Sequence, residues 1–309
     1  MKSIIKRGFN IVTVMILVCL FSLLTAVPAS AGNGLTKITE NVYSYVGTKK
    51  ASAINSFGAN AGIIIGRDGI VVVDTLISAK EAARFVKDIR AISDKPIKYV
   101  INTHSHLDHT FGNVEFARLG AVIVSHANAK KNMQSAGDEA LKKAGAYGLT
   151  AKDMEGTRIS YPSVTFTEKM QIDLGDLTIE LIYPGPSHTD DSIMVYLPDS
   201  KTLFAGDILF TNYYPNMADG SLGGWERTLD SIMALDVARI IPGHGPLSTK
   251  KDITDMKNYL SVFDKKAREL AAISSDAQYI AAEIKKALPP REELDFLIPA
   301  TIQRKYLKK

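Results

Sequence analysis

The feature that most constrains this chain is the stretch NTHSHLDHTFGN, residues 102–113. It places three of the six histidines and one aspartate within the six positions 104–109. The residues IKYVINTH, which lead into it, are typical of a β-strand, so we expect a strand over 97–104. Ligand-binding groups gather at the carboxyl ends of strands in open α/β sheets. The stretch therefore predicts a metal site at the end of a strand.

The spacing within the stretch suggests two ions rather than one. Successive strand residues point to opposite faces, so His104 and His106 can point the same way and chelate one ion. Asp108 and His109 follow where the chain must turn, and their adjacent side chains diverge, which suits a second ion. A solvated loop is the plainer alternative, but histidine clusters this dense are typical of metal sites.

Residues 1–31 have the pattern of a secretory signal peptide. Lys2, Lys6 and Arg7 precede an apolar run, and Ala29-Ser30-Ala31 supplies small residues for cleavage. The apolar run is shorter than a comfortable membrane span, and an uncleaved anchor is the alternative. We therefore expect an exported protein, periplasmic or secreted, with no stable membrane anchor after cleavage.

Cysteine and charge narrow the chemistry of the remaining chain. The single cysteine, Cys19, lies inside the predicted leader, so the mature chain has neither a disulfide nor a thiolate ligand. Any metal must then be held by nitrogen and oxygen atoms. The leader would hold three of the 37 basic residues and none of the 33 acidic ones, leaving a net charge near +1. Nothing in this balance indicates nucleic acid, and we expect a small-molecule substrate.

The rest of the chain, residues 32–309, contains two successive regions in which strands come first and helices follow. This order predicts two sheets packed face to face with helices outside, and one domain, because no linker or short repeat interrupts it. Helical sequence from about residue 249 would extend that domain. The expected strands lie at 42–47, 61–66, 70–75 and 121–125, with five more between 164 and 209, and the expected helices at 78–93, 127–147 and 226–236. Ser78, with Glu81 three positions on, predicts a capping box at the start of the first helix.

Other polar residues stand at predicted strand ends. His188 follows the turn YPGPS, Asp207 ends TLFAGD, and His244 lies in PGHGP after the strand ARIIP. Asp74, at the end of another strand, is either a partner of a metal-binding histidine or the N-terminal cap side of the next helix. His126 favours a local role at a helix start.

Taken in order, HSHLDH, PSHTDDS, LFAGDILF and IPGHGP resemble the motifs of the metallo-β-lactamase superfamily across essentially the whole mature chain. The resemblance implies an αββα sandwich of the α/β class, with two mixed β-sheets face to face, outer helices and a two-metal site at one edge. One ion would be held by His104, His106 and His188, the other by Asp108, His109 and His244, and Asp207 would bridge them.

The metal set that the resemblance implies has a known chemistry. Two divalent ions roughly 3.5 to 4 Å apart can share a hydroxide whose pKa is lowered to about 7. Neutral imidazoles with carboxylates suit two Zn²⁺ ions, and the Asp207 bridge also admits iron or manganese. Asp108 would also act as the catalytic residue that orients the hydroxide and moves a proton.

Departures from family patterns bear on the substrate. One subclass of β-lactamases has a cysteine where Asp207 stands and a lysine three residues later, where this chain has Phe210. The aspartate instead resembles the bridge of glyoxalase II and lactonases, so we expect an ester, thioester, lactone or β-lactam-type amide. Candidate substrate contacts lie in the loop 210–225, with Asn212, Tyr213 and Tyr214 as the first candidates. A second candidate is the connection 49–60, which we expect to lie over the cleft.

Two other functions remain open at this stage. A mononuclear iron site built from the same histidines would make the chain a sulfur dioxygenase-type oxidoreductase. A non-catalytic metal-binding protein is the second alternative, although Asp108 beside the ligands serves hydrolysis rather than storage. The oligomeric state is left open.

Overall fold

The structure is a computed structural model that describes residues 34–307. The predicted leader at 1–31 lies outside the described residues. Within 34–307, no helix has both the length and the apolar character needed to cross a bilayer.

The first sheet has seven strands in chain order. Strands β1 to β4 pair antiparallel, and β4 to β7 pair parallel, so this sheet is mixed. The strands are β1 Thr36–Lys37, β2 Val42–Ser44, β3 Gly62–Gly66, β4 Gly69–Val73, β5 Ile97–Ile101, β6 Val122–His126 and β7 Val164–Phe166.

The second sheet has five strands and is mixed as well. Its first four strands pair antiparallel, whereas the last two, β11 and β12, run parallel. The strands are β8 Lys169–Asp173, β9 Thr178–Ile182, β10 Met194–Leu197, β11 Thr202–Phe210 and β12 Arg239–His244.

Eight α-helices in the described range cover the outer faces and the cleft edge. They are α1 Ala79–Arg90, α2 Leu107–Thr110, α3 Asn113–Arg118, α4 Ala127–Ala144, α5 Leu222–Ala234, α6 Lys250–Ala271, α7 Ala277–Ala287 and α8 Leu297–Thr301. Short 3-10 turns span Ala53–Gly58 and Gly145–Tyr147, and a π-helical turn spans Ile302–Tyr306. The predicted sandwich of two mixed sheets and outer helices is confirmed.

The apolar pattern of β4 shows how the layers are built. Val71 and Val73 belong to the buried cluster between the two sheets, which also contains Phe204 of the second sheet. Val72 points the other way and joins the cluster beneath α1 and α3, with Phe85. Because strand side chains alternate between faces, one run of valines stabilises two layers at once.

Helix α1 begins as the sequence predicts. The hydroxyl of Ser78 accepts a hydrogen bond from the Glu81 amide at 3.2 Å, which makes Ser78 the N-cap. The second hydrogen bond of the predicted capping box, from the Ser78 amide to the Glu81 carboxylate, does not form, because this carboxylate pairs with Arg84 at 3.0 Å.

The strand predicted over 97–104 is wrong at its end, because β5 stops at Ile101. Beyond it, the amide of Thr103 donates to the Asp74 carboxylate at 2.8 Å, and the Asn102 side chain donates to Asn113 at 2.9 Å. The Asp74 side chain thus takes the Thr103 amide in place of a sheet partner, so the histidine-rich stretch is a loop followed by one turn of α2. His104 and His106 therefore take their directions from loop geometry rather than from strand alternation.

The last residues of the chain return to the edge where β5, β11 and β12 end. Residues 288–306, named here the C-terminal segment, follow α7 and include α8 and the π-helical turn. Glu293 forms a β-bridge with Tyr213, which places the segment beside the loop that follows β11.

Candidate metal centre

The seven residues predicted as metal ligands come from four separate places in the chain and meet at one edge of the sandwich. They lie in the loop after β5, the connection between β9 and β10, the second half of β11 and the end of β12. Two groups form: His104, His106, His188 and Asp207 in one, and Asp108, His109 and His244 in the other, with the candidate ligand atoms of each group within 4.8 Å of one another.

Asp207 lies between the two groups with one oxygen toward each. Its Oδ2 is 3.7 Å from His104 Nε2 and 3.3 Å from His188 Nε2. Its Oδ1 is 3.1 Å from His109 Nε2 and 3.4 Å from His244 Nε2. This is the arrangement that a bridging carboxylate requires.

Asp108 completes the second group from the side of the cleft. Its Oδ2 lies 3.6 Å from His109 Nε2 and 3.4 Å from His244 Nε2, and 12% of its side chain is exposed. A carboxylate in that position can bind a cation and still face a molecule in the cleft.

Unpaired buried atoms test whether a cation fits here. Within residues 34–307, several buried polar atoms of the centre have no hydrogen-bond partner, and such groups are costly in a folded protein. They are His104 Nε2, His109 Nε2, His188 Nδ1 and Asp207 Oδ1. Three of the four face the space between the groups, and imidazole nitrogen with carboxylate oxygen is a donor set that suits zinc, iron or manganese.

A glycine lets β12 approach Asp207 closely. A Cβ atom on Gly243 would lie 2.0 Å from Asp207 Oδ1, so a side chain at that position is incompatible with the observed carboxylate. Gly206, just before Asp207, has a φ of +51°, a conformation that L-residues with side chains rarely adopt. Both glycines are therefore part of what places Asp207.

Asp74 supports the centre from behind. Its Oδ2 accepts from His109 Nδ1 at 2.8 Å and from Thr103 Oγ1 at 2.7 Å, which directs His109 Nε2 toward the centre. Asp74 has a positive φ of 58°, and burial raises the pKa of its carboxyl although His109 opposes this. The cap of α1 is Ser78, so the geometry favours the partner interpretation of Asp74 over the capping one.

The charges of the centre are strongly coupled. Burial would raise the pKa of Asp207, but the nearby imidazoles, His244 first, hold it well below its usual range. Burial opposes a charge on His109 and His244, yet the carboxylates raise the pKa of His109 well above normal and that of His244 to about 9. Burial lowers the pKa of His104, and it lowers that of His188 to about 4. The protons that His109 and His244 carry thus occupy positions that a metal cation would take.

Asp219 is a contact that sequence reasoning missed. Its Oδ2 lies 3.4 Å from His106 Nε2, and its Oδ1 lies 2.5 Å from Arg304 of the C-terminal segment. The hydrogen bond to His106 lowers the pKa of Asp219 to about 2, although burial opposes the shift. The available indication was its position in the loop 210–225, where substrate contacts were expected.

The structure corrects the prediction that Asn212, Tyr213 and Tyr214 contact the substrate, because none of these residues lines the cleft. Tyr213 and Tyr214 are only 2% and 4% exposed. The Tyr213 hydroxyl donates to the carbonyl of Thr48, and Asn212 Nδ2 donates to Glu292 at 3.2 Å. These side chains join the loop after β11 to neighbouring segments: the buried Tyr213 ring packs beside His244, 6.0 Å between ring centres, and Asn212 is exposed outside the cleft.

The centre opens into a cleft of about 650 Å³. His106, Asp108, Asp207 and His244 lie on its surface, so a small molecule in the cleft can reach both groups. Phe57 of the connection 49–60 also lines it, in agreement with the position expected for that loop. Small-molecule sites typically have this size.

His126 has a local role, as the sequence favours. Its Nδ1 accepts from the Asn128 amide at 3.3 Å at the start of α4, and its ring stacks on Tyr183 at 3.9 Å. It does not line the cleft.

Comparison with known proteins gives a consistent result. Residues 55–244 match the family model described as "Metallo-beta-lactamase superfamily". The chain is 27% identical over 183 residues to the 2,4-dinitroanisole O-demethylase subunit alpha of Nocardioides sp. (strain JS1661), covering 59% of this chain and 51% of that protein. It is 26% identical over 216 residues to a metallo-beta-lactamase type 2 of Bacteroides fragilis, covering 68% and 78%.

A solved structure supports the fold alone. The metallo-beta-lactamase from Pontibacter korlensis aligns with a TM-score of 0.59 at 22% identity, covering 74% of this chain and 98% of that one. The chain spans about half the length of the O-demethylase subunit.

Proposed function

The chain belongs to the metallo-beta-lactamase superfamily, and we propose that it is a hydrolase that works with two divalent metal ions, zinc being the expected metal. The observation that carries the proposal is the position of Asp207, with one carboxylate oxygen toward each of two groups of imidazoles. The unpaired buried nitrogens beside it support the same conclusion.

In this proposal each side chain has a distinct task. When bound, a pair of divalent ions would lower the pKa of water to about 7 and polarise the carbonyl oxygen next to the bond to be cleaved. His104, His106 and His188 would hold one ion, and His109, whose ring is oriented by Asp74, would help to hold the other. Asp108, which faces the cleft, orients the attacking water and carries its proton to the leaving group.

For the substrate we propose an ester, thioester or lactone, with a β-lactam amide as a further member of the class. The Asp207 bridge resembles the glyoxalase II and lactonase arm of the superfamily. Phe210 stacks on His244 at 4.9 Å, so it supports a ligand instead of offering the cation that certain β-lactamases place there. The two relatives, an O-demethylase subunit and a metallo-beta-lactamase, have unlike activities, which leaves substrate choice to this chain's own cleft.

The test is a comparison of initial rates for the purified chain loaded with zinc. A lactone, a thioester and a chromogenic β-lactam are offered side by side, with Asp108→Asn as the matched blank and bound metal measured in both. We expect two metal ions per chain and a rate on at least one substrate that the blank lacks.

Two outcomes would replace the proposal. About one equivalent of iron with oxygen uptake on a sulfur substrate would identify the mononuclear oxidoreductase. Two retained metals with no turnover of any offered bond would favour the non-catalytic metal-binding protein.

Export is a separate proposal, based on the basic and apolar pattern of residues 1–31. We expect the expressed protein to appear outside the cytoplasm with an amino terminus at Gly32, determined by fractionation and amino-terminal sequencing. A cytoplasmic product that keeps Met1 would contradict it.

A further inference from the structure

Three aromatic side chains from distant parts of the sequence line the cleft beside the metal centre. Phe57 lies in the turn Ala53–Gly58, Tyr147 ends the turn after α4, and Phe296 belongs to the C-terminal segment. The Phe57 ring is 5.3 Å from that of Tyr147 and 6.0 Å from that of Phe296, measured between ring centres. We name these three residues the aromatic cluster.

Two of the three rings of the aromatic cluster are unusually exposed for apolar side chains. Tyr147 is 48% exposed and Phe296 is 43% exposed, although burying such rings would stabilise the fold. Contiguous exposed apolar surface of this kind typically marks a binding site. Met133, Ile159 and Leu297 extend the apolar lining of the same cleft.

Phe57 is held in place by strained backbone. Ser56 and Phe57 both have positive φ angles, 57° and 53°, which are costly for residues other than glycine. The Phe57 amide donates to the Ser52 carbonyl at 2.6 Å, and the Ser56 hydroxyl accepts from the Ile77 amide at 3.1 Å. The surrounding contacts therefore fix a conformation that the residues alone would not adopt.

The same residue joins the aromatic cluster to the metal centre. The carbonyl oxygen of Phe57 accepts from His244 Nδ1 at 3.1 Å, while its ring faces the cleft. A single residue, Phe57, therefore fixes the distance between the apolar surface and the candidate ligand His244. A molecule whose apolar part contacts the ring would have its neighbouring bond brought toward the metals.

We propose that the aromatic cluster is a subsite for an apolar acyl or alkyl group adjacent to the bond that is cleaved, an inference that rests on the proposed hydrolase function. The favoured substrates then carry a linear or branched hydrocarbon group of several carbons, rather than a small or fully charged one. Each methylene that leaves water for the subsite strengthens binding about three- to fourfold until the subsite is filled.

The first test measures binding without turnover. Linear carboxylic acids of two to twelve carbons, the products expected from acyl ester cleavage, are titrated into the zinc-loaded chain by calorimetry. Affinity is expected to rise about three- to fourfold per methylene over the first several additions and then level off. The second test measures kcat/KM for the same acyl series as thioesters.

Exposed positions allow variants that should fold. Tyr147→Ala and Phe296→Ala are expected to flatten the dependence on chain length, reducing the affinity for the longer acids by about tenfold, which is within the range for losing aromatic contact area. Tyr279→Ala is the matched control, since Tyr279 on α7 is 47% exposed and does not line the cleft. It should keep the wild-type dependence.

The outcomes separate the two proposals. A chain-length dependence in binding that only the cluster variants lose supports the subsite, even if no thioester is hydrolysed and the proposed function fails. Hydrolysis with neither binding nor kcat/KM depending on chain length overturns the subsite while the hydrolase stands. A loss in Tyr279→Ala equal to that in Phe296→Ala also overturns it.

Discussion

Asp219 connects a candidate metal ligand to the end of the chain. It contacts His106 Nε2 at 3.4 Å and Arg304 at 2.5 Å, and its loop is held by Lys305, whose amine donates to the carbonyls of Met217 and Gly220. Carboxylates that bind the outer nitrogen of a metal-bound histidine fix the orientation of its ring. Asp219 is therefore a positioning residue rather than a ligand.

Replacing Asp219 should weaken metal binding before it affects the fold. For Asp219→Asn we expect the weaker of the two zinc dissociation constants to rise roughly 10- to 100-fold, because His106 loses a charged partner. Competition with a chromophoric chelator measures this directly. Asp190→Asn is the control, since Asp190 lines the same cleft but its side chain bonds Asn132 instead; an equal loss in both variants would contradict the role.

Gly243 offers a sharper test of the bridge. In Gly243→Ala the new methyl group would meet Asp207 Oδ1 at 2.0 Å and main-chain atoms of Asp207 and Gly206 at 2.6 Å, so the backbone of Asp207 must shift and its carboxylate with it. We expect the zinc content after dialysis to fall to one ion per chain or fewer. Gly223→Ala, where the nearest atom is 3.7 Å away on exposed α5, should retain the wild-type content; full loading of both variants would refute the bridging position.

The individual site residues show which parts of a site can be predicted from the sequence. The seven candidate ligands could be predicted because their chemical type and their position at strand ends are local properties. Tyr213 and Tyr214 were placed wrongly because nothing local shows that the C-terminal segment returns to bury them. Asp219 was missed for the same reason, since its partners lie more than 80 residues away on either side.

At the scale of elements, the C-terminal segment secures both loops that border the cleft. Arg291 Nη1 donates to the carbonyls of Phe210 and Tyr213 at 3.1 and 3.0 Å, just after the strand that carries Asp207. Glu293 accepts from the amides of Lys50 and Ala51 at 2.8 and 2.9 Å, which anchors the connection carrying Phe57.

Arg291→Met should therefore destabilise the protein measurably. Two carbonyls lose a charged donor, and we expect the free energy of unfolding to fall by about 2–3 kcal/mol. Urea unfolding followed by circular dichroism measures the change. Arg227→Met on the exposed face of α5 is the control and should alter stability by less than about 0.5 kcal/mol; equal effects would mean that the segment is not held through Arg291.

Element types were more predictable than element ends. The valine-rich strands and the capped start of α1 follow from periodicity and capping chemistry, which act over a few residues. The end of β5 at Ile101 depends on Asp74, almost thirty residues earlier, which takes the Thr103 amide away from the sheet. Such long-range competition for main-chain partners leaves no local pattern.

At the scale of the molecule, the metal centre joins the two sheets. His104, His106 and His109 follow the first sheet, whereas Asp207 and His244 belong to the second. Because bound ions stabilise only the folded state, a zinc concentration one hundred times Kd should add about 2.7 kcal/mol per site. We expect the unfolding temperature to rise by roughly 5–10 °C for one site filled in this way.

Differential scanning calorimetry of the chelator-treated and zinc-loaded chain measures this rise. Asp207→Asn should show a much smaller one, since the residue that faces both groups is changed. Identical unfolding temperatures with and without zinc would argue against a centre that spans the sheets. A single cooperative transition would support our prediction that residues 32–309 form one domain.

The positions of the site residues along the chain also determine the order in which they become available during synthesis. The histidine-rich loop leaves the ribosome well before Asp207 and His244 exist, and Arg304, which holds Asp219, comes almost last. A nascent chain can therefore offer only fragments of the centre, each too sparse to select an ion. We therefore expect metal choice to be made by the finished protein, from the ions available in the compartment where it finishes folding.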